Sequence, residues 1–275
     1  MSRRAVVALR ATACLIFALI VLVPLLWDIS GSLHSNGNLF SNPFQWVPPR
    51  LEFGNYPNAW RAIPFGRELL NSFGIASVLA IFGVGLGHMA GYAMGKFRFL
   101  GRDVIFWCIV ATMLVPFPAI MVPVFVITKM FGLVNTYLGV IVPGLMTAQV
   151  VFFMRQYLLG IPDELLESGR VDGASEWRLY VAVVLPMSWP VMVAMGILTF
   201  VGSWNNLLWP LIVIESQRLF TVPLGLTQFQ SQFFTNYVDI LCMALIAMVP
   251  VTALFLVGRR RLFDSIMVNG GALVG

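Results

Sequence analysis

The chain has 275 residues, of which 59% are hydrophobic and only 11% are charged. Soluble domains carry about 25% charged residues, so this composition and a mean hydropathy of +0.87 indicate that most of the chain lies in lipid. Disordered, collagen-like, secreted disulfide-rich and ordinary soluble classes are excluded. The net charge of +5 is not clustered on one soluble face, so no nucleic-acid partner is expected.

Six apolar stretches predict transmembrane helices, because a helix needs about 20 mainly apolar residues to cross the hydrocarbon core. They cover residues 8–29, 69–95, 104–128, 137–158, 187–213 and 238–258, with a cytoplasmic loop over 159–186. The predicted fold is an all-α, polytopic membrane protein that forms one membrane domain over residues 1–275. The fifth charge-free run, Leu179 to Ile214, is too long for one straight span. Breaks are predicted at Pro186, Pro190, Pro210 or the Trp204-Asn205-Asn206 step.

The lysines and arginines predict the orientation, since cytoplasmic loops of membrane proteins carry an excess of both. Twelve of the 17 lie on one side of the six predicted spans: Arg3, Arg4, Arg10, Lys96, Arg98, Arg102, Arg155, Arg170, Arg178, Arg259, Arg260 and Arg261. Both termini are therefore predicted to be cytoplasmic. The external segments are then 31–68, 132–136 and 215–239, and the five prolines of the first predict a loop.

The cytoplasmic segment 161–177 concentrates acidic residues where basic residues otherwise dominate. Pro162 suits the first position of a helix whose dipole favours Asp163 and Glu164 in its first turn. Gly173 suits the left-handed residue after the helix, and Ser175 suits the cap of a second helix. Two short helices with a sharp bend are predicted. The pattern alone fits either a knob that inserts into a partner or an amphipathic helix on the lipid headgroups.

This segment resembles the EAA loop of the membrane subunits of bacterial ATP-binding-cassette (ABC) importers, the binding-protein-dependent transport permeases. Glu167-Ser168-Gly169 takes the place of Glu-Ala-Ala, Gly173 that of the glycine, and Leu185-Pro186 that of the final Leu-Pro. The flanks Ile161-Pro162 and Asp172-Gly173-Ala174-Ser175 also match. Ser168 and Gly169 depart from the two alanines, although both are small.

Matches elsewhere are similar to the shorter permease subunit of the sugar-importer branch, the kind found in maltose and glycerol-phosphate importers. They include Asn71-Ser72, Ala90-Gly91-Tyr92-Ala93, Gly132-Leu133-Val134-Asn135-Thr136, Trp204-Asn205 and Asn269-Gly270-Gly271-Ala272. The tail ends Gly271-Ala272-Leu273-Val274-Gly275 and lacks the lysine usual in the family.

The resemblance implies the type I ABC importer transmembrane fold in a bacterial cytoplasmic (inner) membrane. The implied partners are a second, homologous permease subunit, a cytoplasmic ABC ATPase dimer, an extracytoplasmic solute-binding protein and a carbohydrate or polyol substrate. The residues implied to contact the ATPase are Glu164, Glu167, Ser168, Gly169, Asp172, Gly173, Ala174 and Ser175.

No phosphate-binding loop is present, because Gly91-Tyr92-Ala93-Met94-Gly95-Lys96-Phe97 has the wrong glycine spacing and Phe97 where Ser or Thr would hold magnesium. ATP and magnesium are therefore expected on the partner ATPase, and this chain is expected to be non-catalytic and without a cofactor. Neither His34 nor His88 has a second histidine at metal-ligand spacing, and Cys14, Cys108 and Cys242 lie in apolar runs. His88 is interpreted as a packed, hydrogen-bonded residue rather than a proton relay.

Asn71, Trp204, Asn205 and Asn206 are the candidates for a translocation path, because Trp with Asn can stack on a sugar ring and bond its hydroxyls. The alternative role of the Trp-Asn step is helix packing. At the level of the whole chain, the alternatives are an ATP-independent, ion-coupled carrier or channel, which needs intramembrane charges, and a membrane enzyme, which needs an acid-base or metal constellation.

Overall fold

The fold is that of a computed structural model, which describes residues 3–35, 39–40, 45–230 and 235–271, with side chains for all of these except 3–5, 8 and 259–271. The side chains of Arg3, Arg4 and Arg259 to Arg261 and the tail residues 272–275 lie outside this description. Within it the structure is helical, and its β pairing is limited to one bridge between Gln230 and Thr235.

The α-helices, in chain order, are α1 Arg3–Ser32, α2 Asn55–Ala62, α3 Phe65–Val78, α4 Val84–Lys96, α5 Arg102–Thr112, α6 Phe117–Met130, α7 Tyr137–Ile141, α8 Ala148–Leu159, α9 Asp163–Val171, α10 Glu176–Leu179, α11 Leu185–Trp204, α12 Leu208–Val213, α13 Val222–Leu226 and α14 Tyr237–Gly271. Two π-helical turns, Leu79–Gly83 and Tyr180–Val184, connect α3 to α4 and α10 to α11.

Four continuous helices are long and apolar enough to cross a membrane: Leu9–Ser32, Phe65–Lys96, Glu176–Trp204 and Tyr237–Gly258. Two bent pairs, Arg102–Thr112 with Phe117–Met130 and Tyr137–Gly144 with Ala148–Leu159, pass the same test when each pair counts as one span. Counted in this way, the structure has the six spans of the sequence prediction, and the all-α polytopic fold class is confirmed.

The third of these spans departs from the predicted single helix over 104–128, because α5 and α6 meet at an angle of 106°. The break lies between Thr112 and Phe117, where Pro116 directly precedes α6. A residue before proline is pushed out of the helical region, so Val115 cannot continue α5 into α6. The sequence analysis did not anticipate this bend.

The fifth span is a continuous helix from Glu176 to Trp204, longer at its start than the predicted 187–213. The predicted breaks at Pro186 and Pro190 are absent, and both prolines lie inside α11. The π turn just before Pro186, in which Leu185 N–H donates to the carbonyl of Tyr180, relaxes the backbone that the proline ring would otherwise strain. The predicted break after Trp204 is present, since α12 begins only at Leu208.

The chain divides into two compact units, of which the first comprises Met1–Gly66 and Gly225–Val249. Its predicted external loop is tied down by Asn55, whose Nδ2 donates to the carbonyls of Ser32 and His34 at 2.9 Å each. Tyr56 and Ser32 share a hydroxyl hydrogen bond of 2.8 Å. The segment is therefore held by polar contacts and contains the short helix α2.

The second unit comprises Arg67–Leu224 and Pro250–Gly275 and contains both candidate sites. Its centre is the packing of α4 against α8, which glycines allow to come close. A Cβ built on Gly91 would lie 2.7 Å from Cβ of Met154 and 2.8 Å from the backbone N of Arg155. A buried cluster that includes Val150, Met154, Leu158, Leu166 and Leu179 continues from this contact to α9 and α10.

Candidate functional site

Helix α9, the first part of the acidic loop, begins where the sequence predicts it. Pro162 precedes the helix, and Asp163 and Glu164 occupy its first turn. Lys96, at the end of α4, donates from Nζ to Oδ1 of Asp163 at 2.6 Å and to the carbonyl of Ile161 at 2.5 Å. The Lys96 side chain is only 3% exposed. Its ammonium holds the pKa of Asp163 below the usual range, and it fixes the start of α9 to the membrane helix α4.

The end of α9 is a tight bend built on glycine. Gly173 has φ +80°, as predicted, and its N–H donates to the carbonyl of Arg170 at 3.0 Å. Ala174 N–H donates to the carbonyl of Gly169 at 2.9 Å. This pair of bonds is a Schellman motif, which satisfies the last carbonyls of a helix. Ser175 then accepts the N–H of Arg178 on its side chain and caps α10, as the sequence predicts.

An ion pair joins the two helices on either side of the bend. Arg170 of α9 donates from Nε to Oε1 of Glu176 at 2.6 Å and from Nη2 to Oε2 at 3.3 Å. The Glu176 carboxylate raises the pKa of Arg170. Because this geometry uses both carboxylate oxygens, it fixes the angle between α9 and α10 as well as their distance.

Gly169 is half-buried and faces Leu179, which is buried at the start of the fifth span. A Cβ built on Gly169 would overlap Cδ2 of Leu179, the movable tip of a flexible side chain, but would meet no backbone atom within 4 Å. Leu166, 1% exposed, packs in the same buried cluster. The contact of α9 with Leu179 therefore accommodates glycine at 169 without excluding alanine.

The face of the loop that points away from its buried contacts is exposed to solvent. Glu164, Glu167, Ser168 and Asp172 are exposed, and so are Gly173 and Ser175, whereas Gly169 and Ala174 are half-buried. Apolar side chains share this outer surface, since Val171 is 87% and Trp177 63% exposed. Of these residues only Trp177 is of a type that is enriched in protein interfaces, whereas Glu and Asp are depleted there and are equally at home on a solvated loop.

Behind the loop, His88 connects α4 to the fifth span. Its Nδ1 lies 2.8 Å from the hydroxyl of Tyr180, and its Nε2 lies 2.6 Å from Oγ of Ser188. His88 and Ser188 are fully buried. The histidine is thus packed and hydrogen-bonded, as the sequence analysis expected, and Tyr180 lies one residue after the short helix α10.

The four predicted path residues do not form one cluster. Asn71 is locked, because its Nδ2 donates to the carbonyls of Arg218 and Phe220 and its Oδ1 accepts the hydroxyl of Tyr137. Trp204 is buried and stacks on Phe200 with ring centroids 5.6 Å apart. Asn205 is exposed, and of the four only Asn206 lines the cavity described next.

A cavity of about 460 Å³ lies within the second unit, near the end of the fifth span that is distant from the acidic loop. Its polar wall includes a stripe of Thr199, Gly202 and Ser203 on one face of α11, and Asn206 just beyond the end of that helix. Gln149 and Thr221 add two further polar side chains, and Phe117 and Trp209 add aromatic rings. The sequence analysis missed Thr199 and Ser203, although their spacing of i, i+3 and i+4 with Gly202 is the signal that places residues on one face of a helix.

Comparison with known proteins identifies the family. Residues 83–263, which include the acidic loop and much of the cavity wall, match the family described as "Binding-protein-dependent transport system inner membrane component". The chain belongs to this family. It is a multi-pass inner membrane permease of the ABC importer class, and it works with other subunits of such a transporter. This assignment favours the importer over the ion-coupled carrier or channel.

Curated relatives match this permease over most of their length. It is 33% identical to the arabinooligosaccharides transport system permease protein AraQ of Halalkalibacterium halodurans, over 92% of each chain. The diacetylchitobiose uptake system permease protein NgcG of Streptomyces coelicolor is 31% identical, over 96% of this chain and 89% of the relative. The sn-glycerol-3-phosphate transport system permease protein UgpE of Pectobacterium atrosepticum is 29% identical, over 88% and 89%.

Solved structures show the same fold. A chain from the crystal structure of a bacterial ABC transporter involved in import of the acidic polysaccharide alginate has a TM-score of 0.79 and 21% identity, with 95% of this permease and 99% of that chain covered. A chain of the inward-facing MetNI methionine transporter has a TM-score of 0.57 and 17% identity, with 74% and 95% covered.

Proposed function

We propose that this permease forms, with a second, homologous permease subunit, the path through which an ATP-driven importer carries a carbohydrate or related polyol. The names of the relatives support the substrate class, since AraQ and NgcG belong to uptake systems for arabinooligosaccharides and diacetylchitobiose. An extracytoplasmic solute-binding protein delivers the sugar. A cytoplasmic ABC ATPase dimer binds ATP and magnesium, so that this subunit is non-catalytic and needs no cofactor.

The acidic loop is the proposed contact with the ATPase. The observation that carries this proposal is the rigid bend at Gly173, tied to α4 through Lys96 and Asp163 and to the fifth span through Leu166 and its buried neighbours. An element fixed in this way transmits the movement of a partner to membrane helices instead of absorbing it. Glu164, Glu167, Ser168 and Asp172 form the surface that meets the ATPase.

The proposal is tested by reversing one exposed charge. The complete transporter carrying Glu167→Lys is expected to assemble in the membrane and to lose the stimulation of ATP hydrolysis by the loaded binding protein. Glu167 is exposed, so the substitution leaves the buried contacts of α9 intact. Arg10→Glu, a charge reversal of equal size at an exposed position of α1, outside the unit that holds the loop, is the matched control and is expected to retain stimulation. Normal stimulation in the Glu167→Lys complex excludes this loop as the coupling contact.

A further inference from the structure

We propose that His88 is a positioning residue for the coupling of ATP hydrolysis to transport, and that it acts as a neutral imidazole with its proton on Nε2. The proposal rests on the proposed contact between the acidic loop and the ATPase, and it extends that contact into the membrane helices. It assigns the step by which a movement of the loop reaches α4 and α11.

The path begins at an exposed side chain of the loop. Trp177 is 63% exposed and stacks on Tyr180, with ring centroids 5.4 Å apart and an angle of 24° between the ring planes. Tyr180 lies one helical turn further along and is only 8% exposed. Closely packed side chains transmit a displacement because there is no free space for one to move alone. A partner that displaces Trp177 therefore displaces the ring of Tyr180.

From Tyr180 the contacts continue as hydrogen bonds through His88. The hydroxyl of Tyr180 lies 2.8 Å from Nδ1 of His88, and Nε2 of His88 lies 2.6 Å from Oγ of Ser188. Oγ of Ser188 in turn donates to the carbonyl of Val184 at 2.6 Å. His88, Ser188 and Val184 are fully buried, so bulk water does not compete for these bonds. A contiguous chain of this kind connects α4 to the fifth span.

The available donors fix the tautomer of His88. Ser188 has one hydroxyl proton and donates it to the carbonyl of Val184, so Nε2 of His88 supplies the proton that it shares with Oγ. Nδ1 then accepts the hydroxyl proton of Tyr180. The other neutral tautomer and the imidazolium both carry a proton on Nδ1. Either would leave the Tyr180 hydroxyl proton without an acceptor among the described residues, which is unfavourable for a buried group.

The two partners of His88 lie on either side of an irregular stretch of the fifth span. In the π turn Tyr180–Val184, Leu185 N–H donates to the carbonyl of Tyr180, five residues back instead of four. Pro186 follows and has no N–H to donate. Helices yield most easily at such irregular turns, which recur at functional sites. His88 bonds one side chain at the start of the turn and one beyond its end, so that the two parts of the helix move together.

The first test measures ATP hydrolysis by the complete transporter as its binding protein is added, with diacetylchitobiose or arabinooligosaccharides as the probe sugars. Tyr180→Phe and Ser188→Ala each remove one hydroxyl of the chain and are expected to lower the stimulation factor per assembled complex at least threefold. The binding-protein concentration that gives half of the maximal stimulation should stay unchanged. The double variant should lose no more than the larger single loss, because both hydroxyls act through His88.

Tyr157→Phe is the matched control. The Tyr157 hydroxyl of α8 donates to the carbonyl of Met187, next to Ser188, at 2.9 Å. The variant therefore removes one hydroxyl bond to the same part of α11 without touching His88, and it is expected to retain stimulation. A purely structural role of His88 predicts a lower thermal midpoint or fewer assembled complexes for Tyr180→Phe, with wild-type stimulation in each complex that does assemble.

The second test reads the tautomer by ¹⁵N NMR of the complete transporter labelled with ¹⁵N-histidine. Subtraction of the spectrum of a His88→Asn complex isolates the two ring nitrogens of His88. Tyr180→Phe should shift the Nδ1 signal selectively, and it identifies the same signals if His88→Asn does not assemble. The expected result is a protonated Nε2 and an unprotonated Nδ1. A proton on Nδ1 overturns the assigned tautomer.

Glu167→Lys in the same hydrolysis assay separates the two proposals. If it abolishes stimulation while Tyr180→Phe and Ser188→Ala retain it in full, the loop remains the ATPase contact and the role of His88 is overturned. A loss in Tyr157→Phe equal to that in Tyr180→Phe also overturns it, because any bond to α11 would then have the same effect. Stimulation that survives Glu167→Lys, or is absent from the wild type, contradicts the proposed function on which the role of His88 depends.

Discussion

Replacing glycine by alanine is expected to have opposite effects on stability at two positions of this permease, because the backbone conformation differs between them. Gly173 adopts φ +80°, whereas Gly74 lies in the regular helix α3, and a Cβ on either would meet nothing within 4 Å. The space around the two residues is therefore equally open. A substitution at these positions reports only the conformational preference of the chain.

We expect Gly173→Ala to destabilise the bend by about 1–2 kcal/mol, the cost of a left-handed residue that carries a Cβ. Gly74→Ala is expected to stabilise its helix by about 1 kcal/mol. Hydrogen exchange of the amides in segment 163–179 measures the first effect and thermal unfolding the second. Slower exchange in the Gly173→Ala permease would contradict the left-handed geometry.

The Lys96–Asp163 pair makes the anchoring of the loop dependent on pH. Lys96 lowers the pKa of Asp163 in the folded state, so the stabilisation is complete above the unfolded pKa of about 3.9. It is lost as the pH falls through the lower, folded value. The protection factor of the α9 amides, which is the intrinsic exchange rate divided by the observed rate at the same pH, is expected to fall on acidification below about pH 4 in the wild type. Asp163→Asn should show a low protection factor already at neutral pH and little further change.

At the level of elements, the contact between α4 and α8 determines where the loop is attached. Gly91 faces both a side chain and the backbone of α8, whereas a Cβ on Gly95 would lie 3.7 Å from its nearest neighbour, an ordinary contact. A side chain is therefore excluded at Gly91 but fits at Gly95, one turn further along the same helix face. His88, on this helix too, adds buried hydrogen bonds to Tyr180 and Ser188.

Gly91→Ala is expected to destabilise the permease by about 1–3 kcal/mol, because the backbone of Arg155 cannot move as a side-chain tip does. Gly95→Ala is the control and should be neutral or slightly stabilising. The midpoint of thermal unfolding in detergent compares the two. Equal midpoints would show that α4 and α8 lie further apart than described.

The sequence predicts the features that depend on contacts between neighbours in the chain, and it misses those that depend on contacts between residues distant in the chain. The acidic loop was predictable because Pro162, Gly173 and Ser175 act on their own backbone neighbours. The bend at Pro116 was missed because composition alone defined that span, and the continuity through Pro186 depends on a π turn that composition does not report. The cavity was missed because Thr221 meets the α11 stripe only after folding, so its chemistry depends on residues distant in sequence.

At the level of the whole molecule, the remaining prediction concerns the orientation of the chain in the membrane. In a permease with Cys14, Cys108 and Cys242 replaced by alanine, Arg50→Cys is expected to react with a membrane-impermeant thiol reagent in intact cells. Arg98→Cys should react only after the membrane is permeabilised. Both positions are exposed, so accessibility reports the side of the membrane. The reverse pattern would invert the topology and place the acidic loop outside the cell.

Helix α1 has a consequence for biogenesis. None of the residues in its most apolar 18-residue window is buried within the chain, and Phe17, Ile20 and Leu22 point their side chains outward. Insertion of this helix therefore needs no tertiary contact from segments that have yet to be synthesised. Once it has emerged from the ribosome, this helix is able to anchor the growing chain in the membrane before the later helices have packed together.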